Sequence, residues 1–133
     1  MRKLKGLIIM FFIPLALFGL TACNADVDNT STYEQITAEQ AKTIMDTEKD
    51  YVIIDARTAE EFAEGHIPNA VNLDYEDVEA KAEDMLPDKE QLILVYCRSG
   101  RRSKIAAETL ENLGYTNVKE FGGVIDWQYE IVS

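Results

Sequence analysis

Beyond residue 32, short apolar runs alternate with stretches in which apolar residues recur at helical spacing. The apolar runs have the length and composition of buried strands, and they cover residues 51–55, 70–73, 91–96 and 117–121. Helical spacing covers residues 37–46, 58–65, 75–86 and 103–113, and a short terminal helix is predicted to contain Trp127. Strands separated by helices need crossover connections, so the pattern predicts an α/β fold with a central parallel sheet and helices on both faces.

Local signals mark where several of these helices begin and end. The sequences "TAEQ" at residues 37–40 and "TAEE" at residues 58–61 are typical of capping boxes at helix N-termini. One predicted helix ends at Gly65, and Pro87 and Gly114 follow two others at positions where these residue types end a helix. Residues 33–133 are therefore predicted to form one compact domain.

The first 22 residues follow a different pattern. Arg2, Lys3 and Lys5 precede an unbroken apolar run at residues 6–20, which is shorter than the roughly 20 residues of a membrane-crossing helix. This predicts a secretory signal peptide over residues 1–22. The sequence "LTAC" that ends at Cys23 resembles the lipobox of bacterial lipoproteins, which implies that Cys23 becomes the lipid-modified first residue. An uncleaved anchor and an ordinary signal cleaved nearby are the alternatives.

Residues 23–32 are polar and without periodicity, and they are predicted to form the lipidated cysteine and a flexible tether. The lipobox resemblance implies an extracytoplasmic protein that a lipid holds on a bacterial membrane, either the plasma or the outer membrane. The predicted tether is short, so the domain is expected to stay close to that membrane.

The charge of the chain limits its partners. Its 13 basic and 24 acidic residues give a formal net charge of −11, and loss of the three basic residues of the signal leaves 10 against 24, or −14. Such a charge argues against nucleic acid as a partner.

Of the two cysteines, lipid modification would consume Cys23 and leave Cys97 as the only free thiol. That would exclude an internal disulfide and a Cys-x-x-Cys redox pair.

Cys97 follows the most apolar run of the domain, which is predicted to be a central strand. In an open α/β sheet ligands bind beyond the carboxyl ends of the strands, so Cys97 lies where a ligand is expected to bind. Four cations lie within the next seven residues: Arg98, Arg101, Arg102 and Lys104. Successive N–H groups of such a loop form an anion-binding nest, and cations and a helix N-terminus favour the thiolate. A buried, inert cysteine is the alternative, but it leaves the cations and Gly100 unexplained. The pattern predicts a nucleophilic sulfur in an anion-binding loop.

Three segments carry a resemblance to a known family. They are "VIIDARTAEEFAEGHIPNAVNL" at residues 52–73, "LVYCRSGRRS" at residues 94–103 and "FGGVIDW" at residues 121–127. Together they resemble a single rhodanese (sulfurtransferase) domain from about Tyr33 to Tyr129. One departure is Asn69, where the family often has glycine; asparagine tolerates the left-handed conformation that glycine would adopt.

The resemblance implies a two-step reaction. The Cys97 thiolate takes a sulfane sulfur from a small anionic donor such as thiosulfate, and a thiol or cyanide then removes that sulfur from the persulfide. The resemblance also implies that backbone N–H groups of the loop hold the persulfide; the loop residues are Arg98, Ser99, Gly100, Arg101 and Arg102. Arg102 closes the loop, and its charge is expected to help to hold an anionic donor. No cofactor is implied, and a monomer is expected.

Other readings remain open. Phosphatases and arsenate reductases of related fold use a wider Cys-x5-Arg loop for a tetrahedral oxyanion. Cys97 to Arg102 is Cys-x4-Arg, followed by Ser103, and this shorter loop suits a single sulfur atom, which argues against a phosphatase. A second alternative is a non-catalytic rhodanese module that binds a partner or senses redox state through Cys97. A third is a thiol reductant or oxidant that acts on another molecule, since lipid modification of Cys23 would leave Cys97 without a second thiol to form a disulfide with.

Three further residues have candidate roles. Asp55 and Arg57 follow a strand at the same sheet edge as Cys97, and they either orient the cysteine loop or, as we expect, pair with each other. His66, the only histidine, is expected to pack and form hydrogen bonds rather than act as a base. No cluster of side chains has the spacing of metal ligands.

Overall fold

The computed structural model describes residues 32–133; the predicted signal peptide, Cys23 and nearly all of the predicted tether lie outside the described residues. Five strands and four helices are found, followed by one 3₁₀ turn. They are β1 (Glu34–Gln35), α1 (Ala38–Thr47), β2 (Tyr51–Asp55), α2 (Ala59–Glu64), β3 (Val71–Asn72), α3 (Val78–Met85), β4 (Leu92–Cys97), α4 (Arg101–Asn112), β5 (Val118–Gly123) and the turn Val124–Asp126. No helix of this part is long and apolar enough to cross a membrane.

All five strands run parallel in one sheet, in the order β1-β5-β4-β2-β3. Successive side chains of a strand point to opposite faces. On β4, Val95 and Cys97 belong to the core cluster covered by α3 and α4, whereas Leu94 and Tyr96 belong to the cluster on the α1 side. The predicted α/β fold, with a central parallel sheet and helices on both faces, is confirmed.

Threonine side chains cap the N-termini of α1 and α2. Thr37 and Gln40 form a complete capping box before α1, each side chain accepting a hydrogen bond from the backbone N–H of the other. The second box is only half formed: Thr58 accepts from the N–H of Glu61, but the Glu61 carboxylate is bound by Arg102 instead of by the cap backbone. The same carboxylate thus links α2 to α4.

Two helices start at positions that periodicity did not predict. The Asp74 side chain accepts from the N–H of Glu76 and its carbonyl from that of Asp77, and this turn delays α3 until Val78. Helix α4 starts two residues earlier than predicted, because Gly100, with φ 109°, turns the chain directly from the cysteine loop into the helix. Asn69 adopts the left-handed conformation expected of it, with φ 67°.

The two ends of the domain also differ from prediction. Strand β1 has two exposed residues and no apolar pattern, and it was not predicted. Strand β5 continues two residues beyond its predicted end, to Gly123. The predicted terminal helix is a single 3₁₀ turn that ends at Asp126, immediately before Trp127.

Candidate active-site loop after strand β4

The cysteine loop joins the centre of the sheet to the first turn of α4. Cys97 is the last residue of β4 and is 1% exposed. Next to it β4 and β5 shift register between Val95 and Cys97, so that Cys97 pairs with Gly123 at the end of β5. Arg98 and Ser99 are exposed and Gly100 is buried. The loop therefore closes over the sulfur instead of projecting it into solvent.

Hydrogen bonds converge on the Cys97 sulfur. The N–H of Gly100 lies 3.0 Å from Sγ, and Ser103 Oγ lies 3.3 Å from it. Burial raises the pKa of the Cys97 thiol, but hydrogen bonds from the Ser103 hydroxyl and from the backbone of Ser103, Gly100 and Ser99 outweigh burial and hold that pKa below its usual value. The backbone of the loop and the start of α4 thus favour a thiolate.

Two of the loop arginines, Arg101 and Arg102, have partners of their own. The Arg102 guanidinium binds both oxygens of Glu61, at 2.7 and 2.9 Å. That bond raises the pKa of Arg102 and lowers the pKa of Glu61 to about 2. The Arg101 guanidinium lies over the ring of Tyr75, 6.0 Å from its centre. Because Arg102 is held by Glu61, its charge contributes less to an anionic ligand than the sequence indicated.

Strand β5 fits the loop only because its last residue is glycine. A Cβ atom on Gly123 would lie 1.9 Å from the carbonyl oxygen of Arg98, far inside van der Waals contact. The same carbonyl accepts a hydrogen bond from the N–H of Ile125, at 3.2 Å. The "GGV" segment thus holds the first half of the loop against the sheet.

Asp55 and Arg57 do not meet the cysteine loop. They pair with each other, with Arg57 Nη2 2.7 Å from Asp55 Oδ2, and the Tyr96 hydroxyl donates to the same carboxylate at 2.7 Å. Tyr96 points to the sheet face opposite that of Cys97. Burial lowers the pKa of Arg57, but its hydrogen bonds and charge attraction with Asp55 raise it above its usual value. This buried pair supports the fold on the α1 side.

His66 packs against a neighbouring ring and forms hydrogen bonds, as predicted. Its Nδ1 donates to the carbonyl of Phe62 at 2.8 Å, and its ring stacks on the Phe62 ring with centres 3.7 Å apart. Its backbone exchanges two hydrogen bonds with that of Val132. Within residues 32–133 no group of three His, Cys, Asp or Glu side chains is arranged to hold a metal ion.

Three residues near the thiol were not singled out from the sequence. Ser103 contacts the sulfur, Glu61 holds Arg102, and Glu120 of β5 is buried behind Ser103. Ser103 lies in the first turn of α4, which follows the cysteine loop directly, so its closeness in sequence to Cys97 was a usable signal. The other two contacts depend on how distant segments pack.

Comparisons with known proteins agree with this geometry. Residues 37–130 match the family described as Rhodanese-like domain. Thiosulfate sulfurtransferase PspE of Escherichia coli is 37% identical over 73 residues, which cover 55% of this chain and 70% of that protein. A solved structure described as a rhodanese with anions from E. coli is 34% identical with a TM-score of 0.59, covering 62% of this chain and 98% of that one.

A longer relative shares only this domain. The adenylyltransferase and sulfurtransferase UBA4 of Candida albicans is 33% identical over 106 residues, which cover 74% of this chain but only 24% of that protein. Sulfurtransferase is the name common to these relatives. With the family match extending over residues 37–130 and the fold in agreement, the chain belongs to the family of rhodanese-like domains.

Proposed function

We propose that the protein is a sulfurtransferase in which Cys97 carries the transferred sulfur as a persulfide. The observation that supports this most directly is the set of hydrogen bonds on a buried sulfur, with the Gly100 N–H at 3.0 Å and the Ser103 hydroxyl at 3.3 Å. The Gly100 N–H donates to the sulfur, and a donor aimed at a buried sulfur stabilises an anion on it; both the thiolate and the persulfide are anions. The loop residues 98–102 are the proposed binding site for the persulfide.

The reaction with thiosulfate has two steps. The Cys97 thiolate attacks the outer sulfur of thiosulfate, a new S–S bond forms, and the old S–S bond breaks as sulfite leaves with the bonding electrons. Cyanide or a thiolate then attacks the terminal sulfur of the persulfide, and the Cys97 thiolate leaves with the electron pair of the bond that breaks. The enzyme ends in its starting state, so the chemistry itself calls for no additional oxidant or reductant.

A redox-sensing or partner-binding module is the competing function. Sensor cysteines are accessible to solvent, because they must meet an oxidant and a resolving thiol. Cys97 is 1% exposed, and among residues 32–133 it is the only cysteine. Burial of the sulfur in a short loop therefore favours transfer of a single sulfur atom from a small donor.

Turnover with thiosulfate and cyanide tests the proposal. The purified protein is expected to form thiocyanate and sulfite in equal amounts, because each transferred sulfur releases one sulfite. Both products are measured in the same sample. Absence of thiocyanate with thiosulfate, with polysulfide and with a thiosulfonate as donor would contradict the enzymatic function and favour the binding module.

We further propose that the protein acts outside the cytoplasm, attached to a bacterial membrane by lipid on Cys23. The basic start, the apolar run at residues 6–20 and the "LTAC" sequence support this. The protein expressed in bacteria is expected to partition into the detergent phase, and Cys23→Ala is expected to move it to the aqueous phase. Equal partitioning of the two forms would contradict lipid attachment at Cys23.

A further inference from the structure

Three exposed cations beside the cysteine loop have no carboxylate partner. Of the 13 Lys and Arg residues of the chain, three lie outside the described residues, and six of the other ten form ion pairs. The four cations without an ion pair are all exposed, and they are Lys49, Arg98, Arg101 and Lys104. Three of these four follow Cys97 within seven residues. Unpaired positive charge of the described surface is therefore concentrated beside the thiol.

The positive charge beside the thiol is local. Two exposed carboxylates of neighbouring segments, Glu108 of α4 and Asp126 of the turn after β5, form no ion pair with these cations. Arg101 lies over the Tyr75 ring, a contact that leaves its charge in place. The whole chain has a net charge of −11, but salt screens exposed charges beyond about 8–10 Å. A ligand at the loop therefore meets these cations rather than the acidic remainder of the protein.

Two exposed isoleucines border the same cations. Ile105 follows Lys104 on α4 and is 38% exposed, and Ile125, whose N–H donates to the Arg98 carbonyl, is 62% exposed. Among the large hydrophobic side chains of residues 32–133, Ile125 has the largest exposed fraction. An inorganic anion gains nothing from apolar side chains, whereas a protein segment buries them. Cations mixed with apolar side chains thus fit a protein segment better than a small anion.

We propose that the cysteine loop is bordered by a docking surface for an acidic segment of a partner protein, and that a cysteine in this segment accepts the sulfur. This surface, the loop rim, consists of Arg98, Arg101, Lys104, Ile105 and Ile125. Carboxylates beside the partner's thiol then meet the three cations. Cys97 is 1% exposed, so the thiol has to enter the loop from a projecting segment and not from a flat surface.

Transfer of sulfur to such a thiol needs no further reactant. The partner's thiol loses its proton to solvent, and the thiolate attacks the terminal sulfur of the Cys97 persulfide. A new S–S bond forms on the partner, the S–S bond to Cys97 breaks, and Cys97 leaves as a thiolate with the electron pair. This inference deepens the proposed sulfur transfer and rests on it for the reaction, but docking is measurable without any sulfur donor.

Two matched peptides test the docking surface. Both contain a serine in place of the accepting cysteine, flanked by glutamates in one peptide and by glutamines in the other. Each is titrated into the isotope-labelled full chain in detergent, and the amide NMR signals are followed. The glutamate peptide is expected to shift the signals of the loop rim, and the glutamine peptide is expected to bind about tenfold more weakly, the loss expected for three exposed charge pairs. Equal binding of the two peptides, or shifts confined to another surface, would overturn the proposal.

Two variants separate docking from capture of a small anion. Lys104→Gln lies outside the persulfide loop and is expected to weaken binding of the glutamate peptide about threefold, with thiocyanate formation unchanged. Lys49→Gln is the matched control, because it removes the other unpaired cation, which precedes β2 at the sheet edge opposite Cys97. It is expected to bind the peptide like the wild type. A higher KM for thiosulfate in Lys104→Gln with unchanged peptide binding would assign the cation to the small donor and overturn the proposal.

The cysteine form of the glutamate peptide connects docking to transfer. Its rate of sulfur uptake from the Cys97 persulfide is expected to fall about threefold in Lys104→Gln and to stay unchanged in Lys49→Gln. The variants are compared on one peptide, so the pKa of its thiol does not affect the ratio. If no persulfide forms, the proposed function fails while the serine peptides still report docking. If thiocyanate forms but the two serine peptides bind equally, only docking fails.

Discussion

Replacing Arg57 by alanine is expected to lower the free energy of unfolding by about 3–5 kcal/mol, the usual cost of removing one partner from a buried ion pair. Asp55 is fully buried, and Arg57 supplies three of the hydrogen bonds to its carboxylate through Nε and Nη2. Without the guanidinium, Asp55 keeps only the Tyr96 hydroxyl and a backbone N–H as donors. The same change also removes the hydrogen bond from Arg57 to the carbonyl of Gly65.

Urea unfolding followed by the fluorescence of Trp127, the only tryptophan, measures this loss. Lys81→Ala is the matched control, because it breaks an ion pair with Asp77 in which both side chains are about half exposed. Exposed pairs contribute about 0–1 kcal/mol, so the control is expected to remain close to the wild type. An equal cost for the two variants would mean that Asp55 is not dependent on Arg57.

Replacing Cys97 by serine is expected to reduce thiocyanate formation to background, a loss on the order of 10³-fold or more. Serine keeps the size of the side chain and can still bond to Gly100 and Ser103. Its hydroxyl does not ionise at neutral pH and forms no persulfide, so the first step of the reaction is lost while the fold remains. The initial rate with saturating thiosulfate measures the effect.

Cys23→Ala provides the control for this change, because it removes the other cysteine of the chain. Its turnover in detergent is expected to equal that of the wild type, since the proposed chemistry uses Cys97 alone. Turnover that was retained in Cys97→Ser but lost in Cys23→Ala would place the transferred sulfur on Cys23 and contradict the role of Cys97.

The position of the thiol could be predicted because it depends on local sequence. An apolar run long enough for a central strand ends at Cys97, a glycine follows three residues later, and a helical pattern begins. Those signals place a cysteine at the carboxyl end of β4, beside the N-terminus of α4, without knowledge of the remaining chain. A local signal of another kind, the sequence "TAEQ", identified Thr37 and Gln40 as a capping box.

The surroundings of the thiol could not be predicted because they depend on register. Glu120 reaches Ser103 only because β5 lies beside β4 with a register shift between Val95 and Cys97. Asp55 and Cys97 lie at the same sheet edge but on opposite faces, and which face each takes depends on the pairing of β2 with β4. Periodicity along one segment shows which of its residues share a face, but it identifies neither the neighbouring strand nor a register shift beside it.

Sequence patterns also did not predict the partner of Arg102. Glu61 appeared to be the second half of a capping box, yet its carboxylate binds Arg102, which lies 41 positions later. A favourable local partner was therefore replaced by a bidentate contact with a guanidinium, which is the stronger interaction. This contact reduces the role of Arg102 as a free cation and increases the share of the loop backbone in holding an anion.

The mass of the intact protein after incubation with thiosulfate shows whether Cys97 takes up sulfur. The wild type is expected to gain the mass of one sulfur atom and to lose it again with cyanide, and Cys97→Ser is expected to gain none. An unchanged wild-type mass with thiosulfate and with polysulfide, or an equal gain in Cys97→Ser, would contradict the claim that Cys97 carries the transferred sulfur.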